Sequence, residues 1–374
     1  MKHLVFVLLS LSSWWNLAGQ NMSTLSISHQ ALKQVKTRTV DLNSDNSASV
    51  FLEQNAQSFT RETSACKVIK AEGKVYIFDF LSSKIHAYDE AGKYLFTINK
   101  KGKGPNEYKH IRKAFIIKPG NLAIWDSMLD KIIVFDSNGV AIKEIKLPYD
   151  LDALIYHSDG FYGLGLDNEQ YCLIKMDAEG KLIQKWIVAE KEDMAICIKM
   201  RSFNCLFIYN DLVCYAIQPM NSIKSLKDGQ IKDFLVLDYG KDQIIKNALM
   251  ANDPLQANRE GKTIYIPYIF SRGKFLCFFL ADGERSRDLV MVPGQMPLTE
   301  IKFRWFFDPD SYIRLLPEFT YADGTLYFLT DALKLEELRS KSTTNSQYFK
   351  KITKDIGDRQ GLILLKIKDI SVSL

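Results

Sequence analysis

The sequence predicts an all-β fold, a propeller of six four-stranded antiparallel blades. Three observations predict it. A turn followed by an apolar run returns six times along the chain. A second turn, of the Asp-x-x-Gly kind, falls between the copies. The runs are apolar on both faces, which a strand needs only when its sheet is covered on both sides.

The copies follow in order. Gly73 precedes Val75-Tyr76-Ile77-Phe78-Asp79, Gly120 precedes Leu122-Ala123-Ile124-Trp125-Asp126, and Gly160 precedes Phe161-Tyr162-Gly163-Leu164. A weaker copy at Asp211 leads into Leu212-Val213-Cys214-Tyr215. Clear ones return at Gly261 and at Gly324. Between them stand Asp89-Glu90-Ala91-Gly92, Asp136-Ser137-Asn138-Gly139 and Asp177-Ala178-Glu179-Gly180, with looser versions at 228–229 and 282–283. Asp bonds its own backbone in a turn and Gly supplies the positive φ that closes a hairpin. About fifty residues per four strands is the size of a propeller blade.

A ring of blades needs its ends joined. Lys36 to Leu42, rich in Thr and Val, is the expected closing strand of the last blade, and polar residues 43–49 read as the loop after it. Residues 333–356 carry the one long helical pattern and are expected to form a short helical insertion in the last blade. Leu362 to Ile367 then reads as a buried strand. One domain is expected over residues 21–374.

Residues 1–20 have the order of a secretory signal: Lys2, the apolar run Leu4 to Leu11, then small residues Ala18 and Gly19. Export to the periplasm or exterior is expected. The first cysteine is Cys66, so no lipid anchor is expected. The six cysteines lack metal or redox spacing, and buried thiols are the expectation. The net charge of +5, from 49 basic and 44 acidic residues, forms no basic stripe, so no nucleic-acid partner is expected.

The stretch from Ile77-Phe78-Asp79, through the Asp89 hairpin, to Lys101-Gly102-Lys103-Gly104-Pro105-Asn106-Glu107-Tyr108 resembles the bacterial six-bladed propeller proteins related to the NHL repeat and the TolB-like propellers of unknown function. Asn106 stands where that family usually has glycine. The resemblance implies the fold and little of function. Gly102, Gly104, Pro105, Glu107 and Tyr108 are read as a structural corner between blades, with Glu107 accepting loop amides and Tyr108 packing over the blade.

No catalytic motif stands out. There is no H-E-x-x-H or G-x-S-x-G, and Asp136-Ser137-Asn138-Gly139 lacks the glutamate and helices of a calcium loop. No cofactor and no metal ligands are expected. Strand-end Asp79 and Asp126 are expected to bond loop amides. Two regions break the repeat and supply the candidate binding residues Arg201, Arg304, Trp305 and Arg314. The expected function is a monomeric, non-catalytic binding module for a glycan, peptide or envelope protein. The alternative is a lactonase-like hydrolase or lyase with a metal in the central channel, which related propellers contain.

Overall fold

The computed structural model describes residues 24–42, 47–58, 66–118, 121–158, 160–189, 194–199, 201, 204–218, 221–240, 264–272, 275–282, 285–293, 296–305, 312–313, 319–322, 325–331 and 361–368. The expected signal segment, the helical insertion and Arg314 lie outside them.

Three strands come first: β1 (Leu25–Ile27), β2 (Lys36–Leu42) and β3 (Ser47–Phe51), with helix α1 (His29–Lys33) between the first two. Blade 1 is β4 (Cys66–Ala71), β5 (Lys74–Asp79), β6 (Lys84–Asp89) and β7 (Tyr94–Ile98). Blade 2 is β8 (Lys113–Lys118), β9 (Asn121–Asp126), β10 (Lys131–Phe135) and β11 (Ala141–Lys146). Blade 3 is β12 (Asp150–His157), β13 (Gly160–Asp167), β14 (Gln170–Asp177) and β15 (Leu182–Ile187). After helix α2 (Met194–Lys199), blade 4 is β16 (Cys205–Tyr209), β17 (Leu212–Ala216), β18 (Ser222–Lys227) and β19 (Gln230–Leu237). Blade 5 is β20 (Ile264–Arg272), β21 (Phe275–Asp282), β22 (Arg285–Val292) and β23 (Met296–Trp305), with β24 (Tyr312–Ile313) paired to β23. Blade 6 is β25 (Phe319–Ala322), β26 (Thr325–Asp331) and β27 (Leu362–Lys368), completed by β3. The protein is a six-bladed β-propeller.

The first strand of each blade is innermost. β8 packs beside β12, β12 beside β16, β16 beside β20, and β25 beside β4, so these strands line the axis. Each enters from the crossover that leaves the outer strand of the blade before. The turn between the second and third strands of a blade returns to that same crossover end.

The runs that are apolar on both faces now have a cause. On β9, Leu122 and Ile124 join a buried cluster with Tyr76, Phe78 and Ile85 of blade 1. Ala123 and Trp125, the alternate residues, join Leu154, Phe161 and Ile174 of blade 3. Similar clusters fill the seams between blades 3 and 4, 4 and 5, and 6 and 1. Each fully buried large side chain contributes about 1.5–3 kcal/mol, so the seams are the core.

The Asp-x-x-Gly hairpins repeat atom for atom. Oδ1 of Asp89, Asp136 and Asp177 each accepts from the amides two and four residues on, at 2.8–2.9 Å. Each hairpin also docks on the neighbouring blade. Lys366 Nζ donates to Glu90 O, Lys74 Nζ to Ser137 O, and Lys143 Nζ to Ala178 O. Gly92, at φ +87°, presses on the backbone of the blade-6 strand β3. A Cβ there would lie 1.9 Å from Phe51 O.

Closure differs from the sequence expectation. β2 does not complete blade 6; it pairs in parallel with β23 on the rim of blade 5, Lys36 opposite Thr299. β1 likewise pairs in parallel with β19 on the rim of blade 4. The strand that completes blade 6 is β3, antiparallel to β27, with Phe51 opposite Ile363 and Val50 opposite Leu364. The N-terminal chain therefore runs as a belt over blades 4, 5 and 6. A Thr- and Val-rich segment suits any sheet edge, so composition could not say which edge. Residues 43–49 read as loop because they are polar, yet Ser47, Ala48 and Ser49 pair with β27. Leu32 of α1 fills the core between blades 4 and 5.

The six cysteines are thiols, none bridged to another. Burial pushes the Cys214 thiol up to about 12 and Cys205 up to about 11.

The closing seam holds a pH-sensitive group. His86 is fully buried, with Nδ1 2.9 Å from Thr97 Oγ1 and Nε2 without a hydrogen-bond partner among the described residues. Burial lowers its pKa to about 4, against a small opposing pull from Asp79. The folded state therefore holds it neutral. Below about pH 6.5 the unfolded chain takes the proton first, and stability falls until the folded pKa is reached, by about 3 kcal/mol in all. Denaturant melts should show that His86→Gln loses less stability than wild type between pH 7 and pH 4. A second pair of melts tests the seam geometry. Gly73 also has positive φ but open space around it, so Gly73→Ala should cost about 1–2 kcal/mol, and Gly92→Ala clearly more.

Candidate functional site

The crossover end of the ring gathers most of the unusual polar chemistry, and it is built from strand ends. Asp79 ends β5, and its Oδ1 accepts from Leu81 N at 2.9 Å and Ser82 N at 3.1 Å. Asp126 ends β9, and its Oδ1 accepts from Met128 N and Leu129 N at 2.8 and 3.2 Å. Both carboxylates are buried. Both loops close on a residue of positive φ, Ser83 and Asp130. The same short loop thus stands on blades 1 and 2, holding Leu81 and Met128 outward at 63% and 56% exposure.

The glycine-rich crossover from blade 1 to blade 2 lies between these loops and is bonded to both. Tyr108 is fully buried, and its hydroxyl donates to Ser83 O at 2.9 Å. The next amide, Lys109 N, donates to Asp126 Oδ2. Glu107 Oε2 accepts from Gly104 N at 2.9 Å, and a Cβ on Gly102 would strike that carboxylate. Asn106 sits at φ +57°, the left-handed region that glycine prefers and asparagine tolerates. Its amide donates to Glu144 Oε2 at 2.6 Å, and Lys131 Nζ bridges Glu144 and Gly104 O. Burial would raise the Glu144 pKa, but the bonds from Lys131 and Asn106 hold it below the usual carboxylate range.

A second network pins the crossover from blade 3 to blade 4 onto the axial strand. The register of β12 shifts between Leu151 and Ala153, so Asp152 sits in a bulge. Its side chain is 1% exposed and meets Arg201 Nε and the Tyr171 hydroxyl. Asn204 Nδ2 donates to Tyr171 Oη at 2.6 Å, and Asn204 Oδ1 accepts from Gln218 N at 3.0 Å. Arg201 also grips Asp150 through both terminal nitrogens, at 3.1 and 2.6 Å. Burial raises the Asp152 pKa despite these partners. Burial, then the nearby Asp150 and Asp126 carboxylates, raises that of Asp130.

Among the described residues no group of three or more His, Cys, Asp or Glu side chains is placed to hold a metal ion. No described helix is long and apolar enough to cross a membrane.

The model of one protein family, described as a domain of unknown function (DUF4934), matches residues 26–363. The chain belongs to this family. A similar solved structure is a "Putative exported protein" of Bacteroides fragilis NCTC 9343, with TM-score 0.66 and 12% identity, covering 93% of this chain and 99% of that one. A member of the DUF4221 family from Bacteroides vulgatus ATCC 8482 aligns with TM-score 0.43 and 9% identity, over 86% of this chain and 95% of that one. Virginiamycin B lyase from Staphylococcus aureus aligns with TM-score 0.41 and 12% identity, over 75% and 80%. No curated protein matches.

In this DUF4934 chain the described candidates from the sequence do not meet at one place. Gly102, Gly104, Pro105, Glu107 and Tyr108 form the corner between blades 1 and 2. Arg201 stands before blade 4, tied to two aspartates. Arg304 and Trp305 end β23 in blade 5, with Arg304 opposite both Asp41 and Tyr312. Asp150, Asp152, Tyr171 and Asn204 escaped the sequence reading because a bulge and a distant crossover bring them together. Leu81 and Met128 escaped it too, although each stands two residues after a recurring strand-end aspartate.

Removing Arg201 leaves the buried Asp152 without its cation. Arg201→Ala should destabilise the fold by about 2 kcal/mol, less than for a fully buried pair because Arg201 is partly exposed. Adding Asp152→Asn should recover part of the loss in a double-mutant cycle read by denaturant melts.

Proposed function

We propose that this chain is exported and acts as a non-catalytic binding module of the bacterial cell envelope, presenting the crossover end of its ring to a partner. One observation carries the reading. At that end a set of polar side chains is committed to holding backbone and one another: Asp79 and Asp126 on loop amides, Arg201 on two aspartates, Tyr171 between Asp152 and Asn204. Groups so held make a rigid platform, and rigidity lowers the entropic cost of binding. The signal-like first twenty residues support export, as does the fold shared with a protein described as exported.

Two measurements test the proposal. N-terminal sequencing of protein recovered from the envelope fraction should start near Gln20 or Asn21; a chain retaining Met1 in the cytoplasm would overturn export. Elemental analysis of the purified protein should find less than one tightly bound divalent ion per chain. A stoichiometric ion would favour the lactonase-like alternative instead.

A further inference from the structure

The shelf joining blades 1 and 2 has a composition that its structural role does not require. Residues 79–83, 100–110 and 126–130 form one bonded unit, through Tyr108 Oη to Ser83 O and Lys109 N to Asp126. Equivalent places on successive blades point the same way along the axis. There the shelf holds out Leu81 and Met128, two of the most exposed large apolar side chains among the described residues. The matching position on blade 3, two residues after Asp167, is Glu169, so among blades 1 to 3 the apolar residue stands on the first two.

The crossover bonded to both loops carries Lys100, Lys101, Lys103 and Lys109, all exposed. Their ammonium groups make no hydrogen bond or ion pair with a described residue. The acids of the shelf are mostly engaged: Asp79 and Asp126 are buried on loop amides, and Glu107 is bonded to Gly104 N. Asp130 is the exposed carboxylate that remains, so the face toward solvent carries a surplus of positive charge.

From these features we infer that the shelf is a docking surface for an anionic lipid bilayer. Leu81 and Met128 enter the acyl boundary and the four lysines meet anionic headgroups. Charge complementarity selects an anionic partner, and the form of the apolar groups selects a lipid one. They project from loop tips rather than line a groove, as suits a soft planar interface better than a peptide. Lysines flanking apolar residues can reach headgroups while their stems lie on acyl chains. The inference rests on the proposed export only for access to envelope lipid, and its test is independent of location.

The test is flotation of the purified full chain with vesicles of phosphatidylethanolamine and phosphatidylglycerol, against pure phosphatidylcholine. Wild type should float with the anionic vesicles alone and be released by high salt. Leu81→Ser/Met128→Ser should weaken binding at least about tenfold. Replacing the four lysines by glutamine should weaken it on the order of a hundredfold. All sites are exposed, and circular dichroism should show both variants folded. Wild-type protein that stays with neither vesicle, or variants that float as well as wild type, would overturn the inference. So would retention on immobilised polyglutamate that needs Leu81 and Met128 while vesicles are ignored, which would assign the shelf to an acidic polypeptide.

Discussion

Every blade of this protein is an apolar sheet on both faces, and no blade can hide its faces alone. Trp125 and Ile124 are neighbours in one strand, yet they lie in different seams and need different blades to bury them. Such a structure is stable only if the row of blades closes, because an open row leaves two apolar faces in water. The closing device is the chain before blade 1. It adds a rim strand to blades 4 and 5 and supplies the outer strand of blade 6, against which the Gly92 hairpin of blade 1 rests. Edge strands are protected at the same time, since β19 and β23 are covered by parallel partners.

The crossover end is shaped by another requirement, that no buried loop amide be left unpaired. Strand-end aspartates meet it on blades 1 and 2, and Glu107 and Glu144 meet it in the glycine-rich corner, where Lys131 donates to the Gly104 carbonyl. Between blades 3 and 4 the same task falls to Asn204, which bonds Gln218 N and reaches Asp152 through Tyr171. The side chains left to solvent are then free to differ between blades. Leu81 and Met128 use that freedom on two blades, and Glu169 on the third.

The fold was legible because its signals are local. The Asp89, Asp136 and Asp177 hairpins each need one aspartate and one glycine at fixed spacing, and apolar runs report seams directly. The closing strand was misplaced because pairing with a distant edge leaves no mark on a segment's own composition; β2 and β3 both look like edges. The candidate site was legible only in part. Glu107 on a loop amide follows from turn chemistry, whereas the positive φ of Asn106 was not read from the sequence. The Asp152–Tyr171–Asn204 contacts join residues from three strands or crossovers and rest on a bulge, so no spacing announces them.

Hydrogen exchange on a closure variant tests the account most directly. Leu52 N donates to Leu362 O at 2.9 Å, and ladder alternation makes Val50 the next donor on β3. Val50→Pro removes that donor. If the ring depends on β3, amides in blades 6 and 1 should lose protection together, including those of β5 and β6, which touch β3 only through the seam. Loss of protection confined to residues 47–52, with β5 and β6 still as slow as in wild type, would contradict it.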